Sequence, residues 1–266
     1  CVAIGGEDGV GKSALLDKAM QMVKGYQMIG LYAACYREES EFFLRPWSDI
    51  FWEVEQRADY QVLRESMSEE KWEQLEHFFK GKVMEENGKS GALNYQVMEQ
   101  AVIDMFRKIL EHNKVVLFFD DIQWMDQTSI QLLNRLLLTF GTHKILLMCT
   151  FNQEKDADVM ESLNNIVKKG WLHVINLFPF NEKETNEILC KFLPELSEDQ
   201  KKRQNVYRMT EGNAFFLMES INLMKEKGYT LEKSQKTNNV IKARLVGLPE
   251  QELEVLNCMS LFPEKV

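Results

Sequence analysis

The sequence predicts an α/β fold, in which a parallel sheet flanked by helices is followed by a smaller all-helical lid domain. Short apolar runs alternate with longer amphipathic segments along the first two thirds of the 266-residue chain. The runs are separated by 15 or more residues of mostly helical character, which is long enough for crossovers between parallel strands. Beyond Phe178-Pro179-Phe180 the strand-like runs stop and helical patterns continue alone.

The apolar runs predict five buried strands. They are Val2 to Ile4, Met28 to Cys35, Val115 to Phe119, Ile145 to Phe151 and Leu172 to Leu177. A helix is predicted over about Thr128 to Phe140, with Asp126 as its N-cap, because apolar residues recur there at helical spacing. Two capping-box patterns, Asn181-x-x-Glu184 and Ser197-x-x-Gln200, predict helix starts beyond the sheet.

These patterns divide the chain into three predicted parts. Residues 1–178 form the α/β domain, with a helical insert over about 53–92 that contains a loop at Gly81 to Gly91. Residues 179–237 form the helical lid domain. Residues 238–266 begin a further helical or winged-helix domain that is truncated. Because the chain opens on Cys rather than Met and closes on an unfinished helical pattern, we expect a segment excised from a longer protein.

Composition and charge exclude several classes of protein. Hydrophobic residues make up 45% of the chain and charged residues 27%, which is typical of globular proteins and not of disordered, collagen-like or disulfide-dense ones. The formal charge of −9 opposes contact with phosphate backbones, so we expect no direct nucleic-acid binding by this segment. The five cysteines have no C-x-x-C spacing, and no apolar run reaches the ~20 residues that span a bilayer. We therefore expect a cytoplasmic protein that does not enter membranes.

A glycine-rich motif stands between the first predicted strand and a predicted helix. Residues 6–13 match G-x-x-x-x-G-K-[ST], the phosphate-binding loop of P-loop NTPases. The backbone N–H groups of such a loop and the helix N-terminus attract phosphate, Lys12 reaches the β and γ phosphates, and Ser13 ligates Mg²⁺. The nucleotide-binding residues predicted here are Gly6, Glu7, Asp8, Gly9, Val10, Gly11, Lys12, Ser13 and Ala14.

Two carboxylates end the third predicted strand, as in a Walker B motif. Asp120 at this position can hold Mg²⁺, and Asp121 can polarise the water that attacks the γ-phosphate. The alternative is that the two acids only cap the following helix. The acid pair argues against a Ras-like GTPase, and no [NT]-K-x-D guanine motif occurs, so the sequence favours ATP and ADP over guanine nucleotides.

Three further segments resemble one known family. Residues 120–129, DDIQWMDQTS, resemble its DDLHWAD-x-x-S segment; residues 210–217, TEGNAFFL, resemble T-x-G-N-P-F-F-L; residues 244–249, RLVGLP, resemble R-L-x-x-L-P. These segments occur in the ATPase domains of large LuxR/MalT-type bacterial transcriptional regulators, which are AAA+-related signal-transduction ATPases with numerous domains. The resemblance covers nearly the whole chain.

The resemblance implies an ATP-driven switch within a larger signalling or transcriptional regulator. In such proteins the ATP and ADP states differ in how the helical lid packs, and hydrolysis resets the switch. The resemblance also assigns Asn213 to the nucleotide site. The family has a Pro bordering the adenine and an Arg that senses the γ-phosphate, where this chain has Ala214 and Asn152. Asn152 keeps a polar group at that position without the charge, which implies altered or slow nucleotide sensing.

The leading hypothesis is a slowly hydrolysing, Mg²⁺-dependent ATPase with Asp121, Lys12 and Asn152 as catalytic residues and with Ser13 and Asp120 as metal ligands. A nucleotide-stabilised interaction scaffold with negligible turnover is a second hypothesis, and a P-loop kinase that acts on a small molecule is a third. Self-association, partner proteins and any contact with DNA are expected from other domains. The sequence leaves open the inducer, the output domain and the oligomeric state.

Overall fold

A computed structural model describes residues 1–26, 28–57, 59–80, 95–141, 143–152 and 156–227. The predicted loop at 81–91 and the predicted third domain at 238–266 lie outside these residues. The chain forms two compact units. Among the described residues, the first contains Cys1–Gly5 and Lys12–Asn176, and the second contains Gly6–Gly11 together with residues 177–227.

A five-stranded parallel sheet is the centre of the first unit. Its strands are β1 (Val2–Gly6), β2 (Ile29–Ala34), β3 (Val115–Asp120), β4 (Ile145–Asn152) and β5 (His173–Leu177), in the spatial order β2-β3-β4-β1-β5. Each predicted strand is present, with ends that differ from the prediction by at most two residues. Helical crossovers connect the strands, which explains why parallel pairing is possible.

The central strands are buried as predicted, but β5 is not. Every residue of β3 except Asp120 is buried, as expected for a strand that is covered on both faces. In β5, by contrast, four of the five residues are exposed, and Val174 and Ile175 keep 43% and 46% of their accessible surface. The prediction that this run is buried is wrong. In the described part of the chain, β5 lies at the edge of the sheet with β1 on one side and no strand on the other.

Eight helices flank this sheet in the described part of the first unit. They are α1 (Lys12–Gly25), α2 (Arg45–Glu55), α3 (Tyr60–Glu65), α4 (Glu69–Lys80), α5 (Tyr95–Ile109), α6 (Gln127–Phe140), α7 (Asp156–Ser162) and α8 (Asn164–Lys168). Helices α2 to α5 lie between β2 and β3, and they begin at Arg45, earlier than the predicted insert. Asp126 is the N-cap of α6 as predicted, since its carboxylate accepts the backbone N–H of Ser129 at 3.0 Å.

Aromatic side chains join these helices to the sheet. Trp47 of α2 is 1% exposed and meets the rings of Phe106 and Phe119 edge-on, at centroid distances of 6.2 and 5.7 Å. Its indole N–H donates to the carbonyl of Ser129 at 3.1 Å, so this buried polar atom is satisfied. Among the described residues, no helix combines the length and the apolar character needed to cross a bilayer.

The described helices of the second unit are α9 (Glu182–Phe192), α10 (Gln200–Thr210) and α11 (Ala214–Lys227). They enclose a separate hydrophobic core, whose buried members are Leu189, Leu193, Leu196, Val206, Leu217 and Ile221. The predicted capping box of Asn181 and Glu184 is present at the start of α9. The second predicted box is wrong. Ser197 has helical dihedral angles after a short 3₁₀ turn, whereas an N-cap requires an extended backbone, and Asp199 caps α10 instead.

Candidate functional site

The acid pair lies where β3 ends, and the backbone changes direction between the two residues. Asp120 is the last residue of β3, while Asp121 has φ 54° and ψ 49°, in the left-handed region. Non-glycine residues with positive φ are uncommon, and Asp and Asn tolerate this region better than most. The turn lets β3 pass directly into the 3₁₀ segment Ile122–Trp124.

A threonine from the neighbouring strand holds both acids. Strands β3 and β4 pair with Phe119 opposite Cys149, so Thr150 lies beside Asp120. The Thr150 hydroxyl donates to Oδ1 of Asp120 and accepts the backbone N–H of Asp121 at 2.8 Å. Thr150 is fully buried, and a hydroxyl that both donates and accepts there satisfies both of its neighbours. One side chain therefore fixes the carboxylate of the first acid and the backbone of the second.

Gln123 connects the second acid to the predicted sensor position. Its Nε2 donates to Oδ1 of Asp121 at 3.1 Å, and its Oε1 accepts the backbone N–H of Asn152 at 3.3 Å. The structure thus brings Asp120, Asp121 and Asn152 together through Thr150 and Gln123. Sequence reasoning assigned no role to either linking residue. Thr150 could have been suspected because it is a polar residue near the end of a predicted buried strand. Nothing comparable marks Gln123, because its bond to Asp121 depends on a turn that the sequence does not specify.

Lys12 and Ser13 begin α1, the helix that follows β1. Lys12 is only 7% exposed, which is unusual for a lysine, while Ser13 is exposed. Helix α1 packs against β2, β3 and β4. Since the carboxyl ends of parallel strands share one edge of the sheet, the start of α1 and the acid pair belong to the same edge of the first unit. Ligands of open α/β sheets bind at this edge.

The remainder of the phosphate loop belongs to the second unit. Residues 6–11 contact the start of α11, where Nδ2 of Asn213 donates to the carbonyl of Asp8 at 2.8 Å and the backbone N–H of Phe215 donates to the carbonyl of Gly9 at 2.9 Å. Asn213 also caps α11, because its Oδ1 accepts the backbone N–H groups of Phe215 and Phe216. Of the other predicted loop residues, Gly6 and Val10 are buried, and Glu7, Asp8 and Ala14 are exposed.

Two glycines permit close backbone approaches in the second unit. Gly9 has φ +78°, and a Cβ built on it would lie 2.7 Å from Oδ1 of Asn213. Gly212 has φ +75°, and a Cβ there would lie 1.8 Å from the carbonyl oxygen of Phe180. The backbone N–H of Phe180 in turn donates to the carbonyl of Gly212 at 2.8 Å. Both positions need glycine for two reasons, since the conformation and the space each exclude a side chain.

The acid pair also affects the ionisable groups near it. Burial, followed by the charge of Asp120, raises the pKa of Tyr32 to about 12. Burial, followed by the charge of Asp121, raises the pKa of the Cys35 thiol far above its ordinary value. Cys35 is therefore a protonated, buried thiol and not an activated nucleophile. Burial is the larger cause of both pKa shifts, and the two carboxylates, which make this edge of the sheet electronegative and favourable for a cation, add to it.

Comparison with known proteins identifies the family of the chain. The model of the AAA ATPase domain family matches residues 1–148, more than half of the chain. The chain belongs to the AAA ATPase domain family. This family is found in signal-transduction ATPases with numerous domains. A search of curated proteins found no match.

Solved structures agree on the fold. A Walker-type ATPase of Pyrococcus abyssi superposes with a TM-score of 0.54 at 14% identity, over 97% of this chain and 71% of that chain. The ADP form of the Aeropyrum pernix ORC2 protein gives 0.50 at 10% identity, over 91% and 61%. AMPPCP-bound DnaA from Aquifex aeolicus gives 0.46 at 17% identity, over 86% and 55%. At these identities the likeness to the first two, whose TM-scores are 0.54 and 0.50, shows the P-loop NTPase fold and nothing finer.

Proposed function

We propose that the chain binds ATP and ADP with Mg²⁺, hydrolyses ATP slowly, and serves as the nucleotide switch of a larger signalling or transcriptional regulator. One observation carries the proposal. Asp121 is held in a left-handed conformation by Thr150 and Gln123, at the sheet edge where α1 begins. If the acids only capped a helix they would not need this arrangement, because the N-cap of the next α-helix is Asp126.

The residues present fit Mg²⁺. This ion prefers hard oxygen ligands and keeps several waters. The Ser13 hydroxyl and the Asp120 carboxylate are such ligands, and within the described residues the bond from Thr150 engages Oδ1 of Asp120 and leaves Oδ2 for another contact. Held by Ser13 and Asp120, Mg²⁺ would neutralise negative charge on the phosphates.

We assign separate roles in binding and hydrolysis to groups of the protein itself. Backbone N–H groups of the loop and the Lys12 ammonium bind the phosphates. Asp121 accepts a proton from the attacking water, while Gln123 keeps its carboxylate oriented. Asn152 offers a neutral amide to the γ-phosphate or the water. Because that amide brings no positive charge to the transition state, the proposal includes slow turnover.

The switch part of the proposal rests on the family and on the loop. AAA ATPase domains of this family occur in proteins with further domains, and in this chain the loop residues Asp8 and Gly9 bond to the start of α11. A nucleotide that binds the loop would thereby act on the helical unit, provided that ATP and ADP differ in affinity for its states. Self-association, partner proteins and contact with DNA are assigned to domains outside this chain.

A second candidate is a nucleotide-stabilised interaction scaffold with negligible turnover. The observation that favours it is Asn152, which stands where the resembling family has an Arg and whose backbone N–H is already bonded to Gln123. Binding would be retained because the loop and Lys12 do not depend on Asn152. No observation of the described residues favours a small-molecule kinase.

Measuring ATP turnover beside an Asp121→Asn variant separates these candidates. Asn tolerates the left-handed backbone, so the variant keeps the fold and loses only the base; turnover should fall about 100-fold or more, with ADP affinity unchanged. Asp126→Asn is the matched control, since Asn is an equally good N-cap and Asp126 has no part in the acid pair. Wild-type turnover no higher than that of Asp121→Asn would refute the ATPase proposal and leave the scaffold.

A further inference from the structure

We infer that Asn213 sets the phosphate affinity of the loop by holding its backbone, and that it acts as a positioning residue rather than as a contact to the nucleotide base. The inference rests on the proposed nucleotide binding and deepens it. Asn213 lies 205 residues from Asp8 in the chain, yet its amide donates to the carbonyl of that loop residue at 2.8 Å.

The direction of the loop's peptide groups explains why this bond matters. A phosphate-binding loop works by turning backbone N–H groups toward the anion, so the carbonyls of the same peptides face away from it and need other donors. Here the carbonyls of Asp8 and Gly9 are satisfied by Nδ2 of Asn213 and by the backbone N–H of Phe215. Two successive peptides are therefore oriented by the first turn of α11.

The position of the Asn213 side chain is determined at both of its polar atoms. Oδ1 accepts the N–H groups of Phe215 at 3.1 Å and of Phe216 at 3.4 Å, while Nδ2 donates to the loop. An N-cap alone requires only the oxygen, and Ser or Asp would serve as well. Capping α11 therefore does not explain the Nδ2 group of Asn213, which donates to the loop.

Gly9 supports the same conclusion from the side of the loop. A Cβ on Gly9 would lie 2.7 Å from Oδ1 and 3.0 Å from Nδ2 of Asn213. The glycine that gives the loop its φ of +78° is also what allows the asparagine to approach. The absence of a side chain at Gly9 is therefore required for Asn213 to contact the loop.

This geometry predicts which ligands will be sensitive to Asn213. A residue that orients the loop affects every ligand that places a polyphosphate there, whether or not the ligand carries a base. A residue that contacts the base affects only nucleotides. The two roles can be separated with ADP and with tripolyphosphate, which has no nucleoside.

The experiment measures the affinity of both ligands, with Mg²⁺, for the wild-type chain and for Asn213→Ser. Serine still caps the helix, but it has no amide group and its side chain is too short to reach the carbonyl of Asp8. We expect the dissociation constants of ADP and tripolyphosphate to rise by the same factor, about three- to tenfold, as for the loss of one hydrogen bond. Asn213→Asp is a second variant, in case the serine variant does not fold, because Asp has the size of Asn and keeps a capping oxygen. It should lower the affinity for both ligands at least as much.

Asn181→Ala is the matched control, because it removes another asparagine N-cap from the same unit without touching the loop. It should leave both affinities within twofold of wild type. Weakened ADP with unchanged tripolyphosphate would overturn the inference in favour of a base contact, and unchanged affinity for both ligands would overturn it outright. If the wild-type chain binds neither ligand, the proposed function itself fails, which is a different result.

Discussion

The acid pair and the phosphate loop are held in different ways. Asp120 and Asp121 are fixed by side chains of the sheet's own unit, since Thr150 comes from the adjacent strand and Gln123 from the next turn. In the loop, the backbone carbonyls of Asp8 and Gly9 accept hydrogen bonds from Asn213 and Phe215 of the same helical unit. The difference teaches that the acid pair is set by strand register and the adjoining turn, whereas the backbone of the loop depends on a helix of the second unit.

The largest effect is expected from Lys12→Ala, which removes the only charged side chain that the sequence motif assigns to the phosphates. ADP affinity should fall about 100-fold or more, because a charge-assisted bond to phosphate is lost in a buried position. Isothermal titration calorimetry would measure it. Lys18→Ala, an exposed lysine of the same helix, should bind like wild type. Unchanged ADP affinity in Lys12→Ala would refute the assignment of the loop.

Thr150→Val should destabilise the acid pair without affecting the loop. Valine has the same shape but leaves the N–H of Asp121 and an oxygen of Asp120 without their buried partner, which costs about 1–3 kcal/mol of unfolding free energy. Urea unfolding measures this loss. Thr150→Ser keeps the hydroxyl and should lose clearly less. No loss of stability in Thr150→Val would contradict the role given to the hydroxyl, and an equal loss in Thr150→Ser would mean that the methyl group contributes as much.

The same valine variant tests whether the two regions are independent. If strand register alone fixes the acids and α11 alone fixes the loop, tripolyphosphate should bind Thr150→Val within twofold of wild type. A parallel loss of tripolyphosphate affinity would break the comparison and show that the acid pair and the loop respond as one.

Gln123→Ala should separate turnover from binding. Losing the amide frees the Asp121 carboxylate to rotate, so we expect ATP turnover to fall about three- to tenfold, as for one lost hydrogen bond, while ADP affinity remains. Steady-state turnover and ADP titration measure the two quantities. Gln127→Ala, at an exposed position in the first turn of α6, is the control. A change in ADP affinity without a change in turnover would place Gln123 in the binding function instead.

The smallest effect concerns Glu53, outside both regions. Its Oε2 accepts the backbone N–H of Tyr32 at 2.7 Å, and burial raises the pKa of this carboxyl above its ordinary value. Because the folded protein then holds the proton more tightly than the unfolded chain, wild-type stability falls as pH rises from the ordinary carboxyl range through the raised pKa. Glu53→Gln should remove this slope in urea unfolding, and Glu55→Gln should retain it. A slope that persists in Glu53→Gln would assign it to another group.

Local patterns explain why much of the fold was predictable. A five-residue apolar run that ends in two acids specifies β3, and the cap of Asp126 involves only Ser129, three residues away. The same holds for the capping box of Asn181 and Glu184. The two wrong predictions, for Ser197 and for β5, concern features that a local pattern does not determine. Ser197 matched the capping pattern, but a preceding 3₁₀ turn gave it helical dihedral angles, and β5 matched a buried strand although its place at the sheet edge left it exposed.

The sequence by itself determined the phosphate-binding motif, the acid pair and the order of strands and helices, because each depends on residues within a few positions of one another. Only the tertiary structure decided that Thr150 bonds to both acids, that Gln123 joins Asp121 to Asn152, and that Asn213 bonds to Asp8 across 205 residues. The physical reason is that a side-chain hydrogen bond acts over about 3 Å of space, whatever the separation along the chain. Strand register and helix packing set those distances, and neither is written in a local pattern.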